Sequence, residues 1–351
     1  MSVSPIRELI SPLCSRTGWP WDSGSCNVFS GMSNGRSWPH ITVVTPSFNQ
    51  GQYLEETIRS VLLQGYPNLE YIVVDGGSTD SSVEVITHYA PWITFWVSEK
   101  DKGQTDAINK GFARATGTIL AWLNSDDVYT EGALWAVAKF FSAHPDLDIG
   151  YGACRSLDAM SRCRAIHVPS EFQLKRLLSS NFIAQPATFF SRQALDAVGG
   201  LNQKYHFAFD YGFWMKAALQ GRSFARIPGP PLAGFRTWQQ SKSEASFEEF
   251  MRETTAIVTD IFEEAPASVA SSSMRNLALS SGWRFAALGY WRNGQGMEAR
   301  RCLRQVLWLA PCHILDLKLL LLYMSSFLSV EVISSLRKIK QSINRMLHTP
   351  A

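Results

Sequence analysis

The sequence predicts an α/β fold in which a mostly parallel sheet carries helices on both faces and a helical region follows. Three observations predict it. Between His40 and Leu123, short β-branched or apolar runs alternate with segments of helical spacing, joined by short connections. Each run empties into a polar cluster, as expected where the strands of an open parallel sheet deliver their carboxyl ends to one crevice. From about Ser246 the pattern is helical to the end. The 351 residues therefore divide into an N-terminal extension (1–37), an α/β domain (38–245) and a helical C-terminal region (246–351).

Residues 1–37 are rich in Ser, Gly and Pro and lack periodicity. They read as a loosely structured extension with a short helix near Ile6–Leu13, packed on the body by Trp19 and Trp21. Ile41–Thr45 is the first strand and opens into Pro46-Ser-Phe-Asn49. Tyr53–Leu63 has helical spacing and stops at Gly65-Tyr-Pro67. Leu69–Asp75 is the second strand, followed by Gly76–Asp80, a helix over Ser81–Tyr89 and a third strand at Thr94–Val97. A helix over Thr105–Ala115 and a fourth strand, Thr118–Leu123, lead to Asn124-Ser-Asp-Asp127. Beyond lie a helix (Ala133–Ser142), a strand (Ile149–Gly152), the segment Phe182–Ser191, a helix over Phe207–Gln220 and the run Leu232–Trp238 after a Pro/Gly-rich stretch. Within the helical region, Phe285–Pro311 is spaced like a helical hairpin; a single copy resembling one tetratricopeptide unit carries less weight than plain helical packing.

Hydrophobic content of 46% and charged content of 18% exclude a disordered or collagen-like chain. The six cysteines form no metal-ligand pairs. Met1–Ile10 carries Arg7 and Glu8 with no apolar core, so no secretory signal is expected; free thiols and a cytoplasmic setting follow as expectations. The net charge of +3 hides an asymmetry: from Arg275 onward eleven Lys/Arg face three Asp/Glu, leaving the preceding part mildly acidic. That split argues against nucleic acid as a partner and points a basic tail at an anionic membrane surface. His313–Leu336 is strongly apolar, but Lys318 and Glu331 bracket only twelve uncharged residues, too few to span a bilayer. With Arg337, Lys338, Lys340 and Arg345 behind it, the tail is expected to lie on a membrane peripherally or to cover the α/β domain.

The chemistry gathers at the strand ends. Asn124-Ser125-Asp126-Asp127 follows an apolar strand, where a few oxygen ligands can hold a divalent cation whose shell is completed by phosphate oxygens. Taken alone, the same run also reads as a solvated turn or helix cap. Asp75 follows Tyr-Ile-Val-Val, with two glycines behind it that allow close backbone approach. Asp210 opens a helix, and by itself reads as its N-cap.

Taken together, Thr45-Pro-Ser-Phe-Asn-Gln50, Val73–Asp80, Ser98–Gly111, Leu123–Asp127, Gln185–Phe190 and Phe209–Trp214 resemble the motifs of the family 2 inverting glycosyltransferases, which have the nucleotide-sugar-binding GT-A fold. They cover roughly 200 residues in the family's order. The resemblance implies a sugar moved from a nucleoside diphosphate donor, with UDP the commonest nucleotide in the family, to a saccharide or lipid-linked acceptor in surface polysaccharide or glycolipid assembly. It implies that Thr45, Pro46, Ser47, Asn49, Asp75 and Gly76 line the nucleotide, with Asp75 on the base. Asp101, Gln104, Asp106, Asn109, Asn124 and Ser125 then contact nucleotide or donor sugar, and Arg236 the diphosphate. Asp126, with Asn124 and Asp127, would hold Mn2+ or Mg2+, and Asp210 would be the catalytic base.

Two positions depart from the family pattern. Asn124 is neutral where a carboxylate is usual, and Trp238 stands where members often carry a histidine. Two other readings are a non-catalytic binding scaffold and a sugar nucleotidyltransferase. The first is disfavoured by the joint presence of Asp126 and Asp210, the second by the lack of a glycine-rich basic loop in Thr45–Gly51.

Overall fold

A computed structural model describes residues 12–13, 16–21, 37–237, 247–265 and 271–327. The expected helix near Ile6–Leu13 (apart from its last two residues), Cys14 and Cys26, Trp238 and the basic cluster from Arg337 to Arg345 lie outside the described residues. The chain forms two compact units, Met1–Leu177 with Asn181–Ser241, and Leu178–Ser180 with Lys242–Ala351.

The first unit is built on a seven-stranded sheet of order β10-β6-β9-β4-β1-β2-β3. In its interior, β1 (Ile41–Ser47) is buried along its whole length, as a strand covered on both faces must be. β1 runs parallel to β2 (Leu69–Asp75), placing Ser47 beside Asp75, and parallel to β4 (Ile119–Trp122). β3 (Phe95–Ser98) extends the parallel set and puts Ser98 on the other side of Asp75. Ser47, Asp75 and Ser98 therefore end side by side. The helices α1 (Gly51–Leu62), α2 (Ser82–Tyr89), α3 (Gln104–Arg114) and α4 (Ala133–Ala143) connect and flank these strands. Ile41, Val43, Ile58, Val73, Ile86, Tyr129 and Phe189 belong to one buried cluster.

The expected α/β fold is present, with two features the sequence did not foretell. β9 (Thr188–Ser191) runs antiparallel between β4 and β6 (Ile149–Tyr151), and β10 (Phe224–Arg226) closes that edge. A second sheet, β5-β11-β7-β8, joins Val128–Tyr129, Ala233–Arg236, Cys154–Leu157 and Cys163–His167. Its strands have two to five residues, too few for periodicity to declare itself, and β8 is exposed along its length. Its importance is positional, because β11 brings Arg236 across to the β4–β5 turn.

α1 buries eleven of its twelve residues, among them Glu55, Glu56, Thr57, Arg59 and Ser60. Buried polar groups must find partners, and these do. Arg59 donates to the carbonyls of Pro20 and Trp21 and to the Tyr89 hydroxyl, which in turn donates to Glu55. Trp19 donates its indole N–H to the Tyr129 carbonyl at 2.8 Å and Trp21 is buried, so this stretch of the extension packs on the body as expected.

The second unit is helical: α8 (Phe247–Glu264), α9 (Ser272–Arg292), α10 (Gly296–Leu309), a 3-10 turn (Pro311–Leu315) and α11 (Leu317–Ser325). Ser271 caps α9 and Asp316 caps α11 through hydrogen bonds to first-turn N–H groups. Ala286, Ala287, Leu303, Val306 and Leu319 form its core. Gly289 is required there, because a Cβ would collide with the Phe247 ring. Among the described residues no helix is long and apolar enough to cross a membrane. Cys154, Cys163, Cys302 and Cys312 are free thiols.

Candidate active site

The β1 and β2 loops are tied together by their own polar groups. Asn49, at φ 51, donates its backbone N–H to the Ser78 hydroxyl and accepts from the Thr79 N–H, both at 2.8 Å. Gly51 N–H donates to Asp80 at 2.8 Å, and the Tyr71 hydroxyl donates to Thr45 at 3.1 Å. Pro46 and Ser47 finish β1 at the same level as Asp75, and the buried Ser47 hydroxyl has no hydrogen-bond partner.

Asp75 is fully buried, and its carboxylate turns into its own loop. It accepts from the N–H groups of Gly77 and Ser78 at 3.1 and 2.9 Å and from the hydroxyls of Ser78 and Ser98 at 2.6 and 2.7 Å. The carboxylate that faces the adjoining glycine turn is Asp101, from the β3 loop. A Cβ on Gly76 would lie 2.6 Å from Asp101 Oδ2, so glycine at this position is what lets Asp101 settle there. Asp101 Oδ1 accepts from the Gly103 N–H at 2.8 Å, fixing the approach to α3.

Gln104, the first residue of α3, donates to Asn124 Oδ1 at 2.7 Å and links the β3 and β4 loops. Asn124 donates onward to Gln185 at 3.3 Å and Asp127 at 3.2 Å. Asp127 is buried and also accepts from the Arg236 backbone N–H at 2.9 Å. Burial, with Asp126 beside it, pushes its carboxyl well above the usual range. Ser125 is buried, and its carbonyl and that of Asp127 both accept from the Thr57 hydroxyl on α1. Asp126 is half-exposed at the tip of this braced loop.

Arg236, which the family resemblance implied as a contact of the diphosphate, is turned into the protein. Its side chain is fully buried, ion-paired to Glu56 at 3.1 Å and stacked 4.5 Å over the Tyr53 ring. Its remaining donors go to the carbonyls of Asp126 and Asp158 and to the Ser161 hydroxyl. Asp106 and Asn109 are likewise spent within the protein. Asp106 accepts from Lys102 N–H and Gln203, and the Asn109 amide both donates to and accepts from the Leu201 backbone.

After α5 (Leu174–Ser179) and α6 (Arg192–Val198), α7 (Phe209–Leu219) carries Asp210 as its second residue. Ala208 occupies the cap position, so the N-cap reading of Asp210 does not hold. The Phe209 ring packs 6.2 Å from Trp122, and Trp214 stacks on Trp122 at 5.7 Å. Trp122 precedes Asn124 by two residues, so this packing sets the start of α7 at the β4 end of the sheet. Thr105 donates to the Tyr205 carbonyl at 3.0 Å and ties the approach to α7 onto α3.

Four contributors escaped the sequence reading as site residues: Glu56, Thr57, Gln185 and Trp122. The first two lie on a helix whose polar residues gave no periodic signal. Gln185 stood inside a recognised motif without an assigned role, and it donates to the Trp122 carbonyl at 2.7 Å. Among the described residues no group of three or more His, Cys, Asp or Glu side chains could by itself hold a metal ion. The donor set, one half-exposed carboxylate with amide neighbours, fits a hard cation that brings further oxygen ligands with it.

The profile of the family described as "Glycosyl transferase family 2" matches residues 42–199. A "PGL/p-HBAD biosynthesis glycosyltransferase" of Mycobacterium bovis (strain BCG / Pasteur 1173P2) is 31% identical over 179 residues, 50% of this chain and 68% of that protein. The fold is similar to that of S. aureus TarS 1-349 in complex with UDP-GlcNAc, at 17% identity and a TM-score of 0.59, covering 77% of this chain and 81% of that one. It is similar also to the mannosyltransferase PcManGT from Pyrobaculum calidifontis in complex with GDP-Man and Mn2+, at 19% identity and a TM-score of 0.53, covering 76% and 74%. Identity of this order across two thirds of a named glycosyltransferase, on a sheet with these loops at its carboxyl end, settles the descent: the chain belongs to glycosyl transferase family 2 and is a glycosyltransferase of the GT-A fold.

Proposed function

We propose that the chain transfers a sugar from a nucleoside diphosphate donor to an acceptor hydroxyl with inversion, using Asp210 as base and Asp126 as the carboxylate that meets the diphosphate side. The observation that carries this reading is the placement of Asp126 and the start of α7 at the same end of β4, through the Trp122–Phe209 packing. Asp210 sits in the first turn of α7. From there it takes the proton of the acceptor hydroxyl as that oxygen attacks the anomeric carbon opposite the leaving diphosphate. A manganese or magnesium ion, when bound, neutralises charge that develops on that leaving group. Asp126 would hold it. Asn124 and Asp127 act one step behind, since their side-chain atoms brace the loop.

In this reading the β1 and β2 loops enclose the nucleotide, with the Ser47 hydroxyl and the Asp101 carboxylate as the groups offered to it. Asp75 shapes the loop instead of meeting the base, because its oxygens are taken by Ser78, Ser98 and Gly77. A UDP-sugar is the first donor to test and a GDP-sugar the second. The name of the mycobacterial relative supports a glycolipid or other lipid-linked acceptor.

The test is a pair of variants. Asp210→Asn should lower transfer by about 10²- to 10⁴-fold while nucleoside diphosphate binding is kept. Asp126→Ala should weaken nucleotide binding only when manganese is present. Equal loss of nucleotide binding in both variants would remove the separation of roles.

A further inference from the structure

We infer that residues 308–327 of the second unit form a surface that docks on an anionic lipid bilayer. Eight of the fifteen large hydrophobic side chains exposed among the described residues fall in this stretch, which concentrates them on one part of the chain. Trp308 is 76% exposed and Leu315 87%. On α11 the exposed Leu317, Leu321 and Met324, with Phe327 just beyond, recur at three- and four-residue intervals and so share one face. Leu319, from the opposite face, is in the core with Leu322 and Tyr323 packed against it. The outward face is therefore not a core face turned the wrong way: the helix already has one side buried. Proteins that remain in water rarely leave so continuous an apolar stripe uncovered.

The charge around the stripe selects the occupant. Lys318 is exposed within it and Arg304 is exposed on the adjoining α10. Arg300 places its guanidinium 4.3 Å over the Phe327 ring. Asp316, the acid nearest the stripe in sequence, is ion-paired to Arg284 at 2.9 Å. The sequence beyond the described residues adds Arg337, Lys338, Lys340 and Arg345 against Glu331 alone. A second copy of the chain docking isologously would set Arg300, Arg304 and Lys318 against a face of the same charge. Residues 328–351 carry four Lys/Arg against one Glu, so their charge does not complement a basic face. An anionic bilayer satisfies both demands, taking the Leu, Met and Trp side chains at its interface and attracting the cations to its headgroups. With nine residues, α11 can lie in that interface but not cross it.

The inference does not rest on the proposed transfer reaction, although a lipid-linked acceptor would gain from it. The test is flotation of the full-length protein with phosphatidylcholine vesicles, with and without phosphatidylglycerol, at low and high salt. Enrichment with the anionic vesicles is expected to exceed that with neutral ones about tenfold at low salt and to fall as salt rises. Leu321→Glu with Met324→Glu should abolish flotation on both kinds of vesicle. Arg304→Glu with Lys318→Glu should remove only the preference for the anionic ones. Retention of the nucleoside diphosphate thermal shift in each variant shows that the first unit is folded. Equal flotation on both lipids, flotation of neither, or a Leu321→Glu/Met324→Glu variant that binds as the parent does would overturn the proposal. So would a dimer of the parent chain that this variant converts to monomer. Loss of the nucleotide shift in the parent chain, with flotation intact, would count against the proposed function alone.

Discussion

Asp75 and Asp101, both expected from the family resemblance to contact the donor nucleotide, are held in different ways. A carboxylate whose oxygens accept three hydrogen bonds from its own loop and a fourth from Ser98 of β3 is a strut, whereas Asp101, resting on Gly76, is the carboxylate that the proposed reading offers to the ligand. The distinction yields a test in the form of a double-mutant cycle. Gly76→Ala sets a methyl group 2.6 Å from Asp101 Oδ2 and must displace it. Asp101→Ala removes the same group directly. Each should raise the donor KM by roughly tenfold, and the double variant should be no worse than the poorer single, because both act through one carboxylate. Steady-state kinetics over the cycle decides it, and losses that multiply would show that Gly76 serves the nucleotide independently of Asp101. Arg236 makes the complementary point. Its side chain, buried against Glu56, donates to the Asp126 carbonyl, where the family resemblance implied a contact with the diphosphate.

At the scale of elements, the parallel strands were readable because burial on both faces makes them continuous β-branched runs, and each ends in a recognisable polar cluster. What could not be read were contacts between distant stretches. The Glu56–Arg236 pair spans 180 positions, and neither residue's neighbours announce the other. Thr57 under the Ser125 and Asp127 carbonyls is hidden for the same reason. Another such joint holds the amino end of the sheet. Glu70 on β2 accepts from the Thr42 hydroxyl of β1 and from both the N–H and hydroxyl of Thr116, which leads into β4. Burial opposes its charge, but these hydrogen bonds prevail and lower its pKa. A carboxyl with a depressed pKa in the folded state stabilises the fold above its unfolded value of about 4.3, and that contribution is lost as pH falls through the folded value. Glu70→Gln turns an amide donor toward those donors and should cost about 1–3 kcal/mol at neutral pH. In urea titrations from pH 7 downward, the gap between variant and parent should close below the ordinary glutamate range. A gap that stays constant with pH would mean that the charge of Glu70 contributes nothing.

At the scale of the molecule, each unit has its own hydrophobic core, one around the seven-stranded sheet and one among the C-terminal helices. The family motifs all lie in the first, and this is why the sequence disclosed a reaction class and a fold but left the second unit as helical packing with a basic tail. The site in the first unit also carries a thermodynamic signature. In the proposed reading the half-buried Asp126 is the carboxylate on the diphosphate side, and the side chains of Asn124 and Asp127 brace its loop. A cation held there would have so few protein ligands that it would bind weakly until diphosphate oxygens completed its shell. Manganese and nucleoside diphosphate should therefore bind with positive coupling, each raising the affinity of the other by the same factor. Manganese alone should shift the melting temperature little, and the nucleotide alone modestly. At about a hundred times the Kd, the pair together adds about 2.7 kcal/mol of stability, which for a unit of this size corresponds to roughly 5–10 °C. Asp126→Ala should reduce the shift with both ligands to that with nucleotide alone. A full shift from manganese without nucleotide would mean that the protein holds the ion by itself, and the reading of Asp126 as half of a shared site would fall.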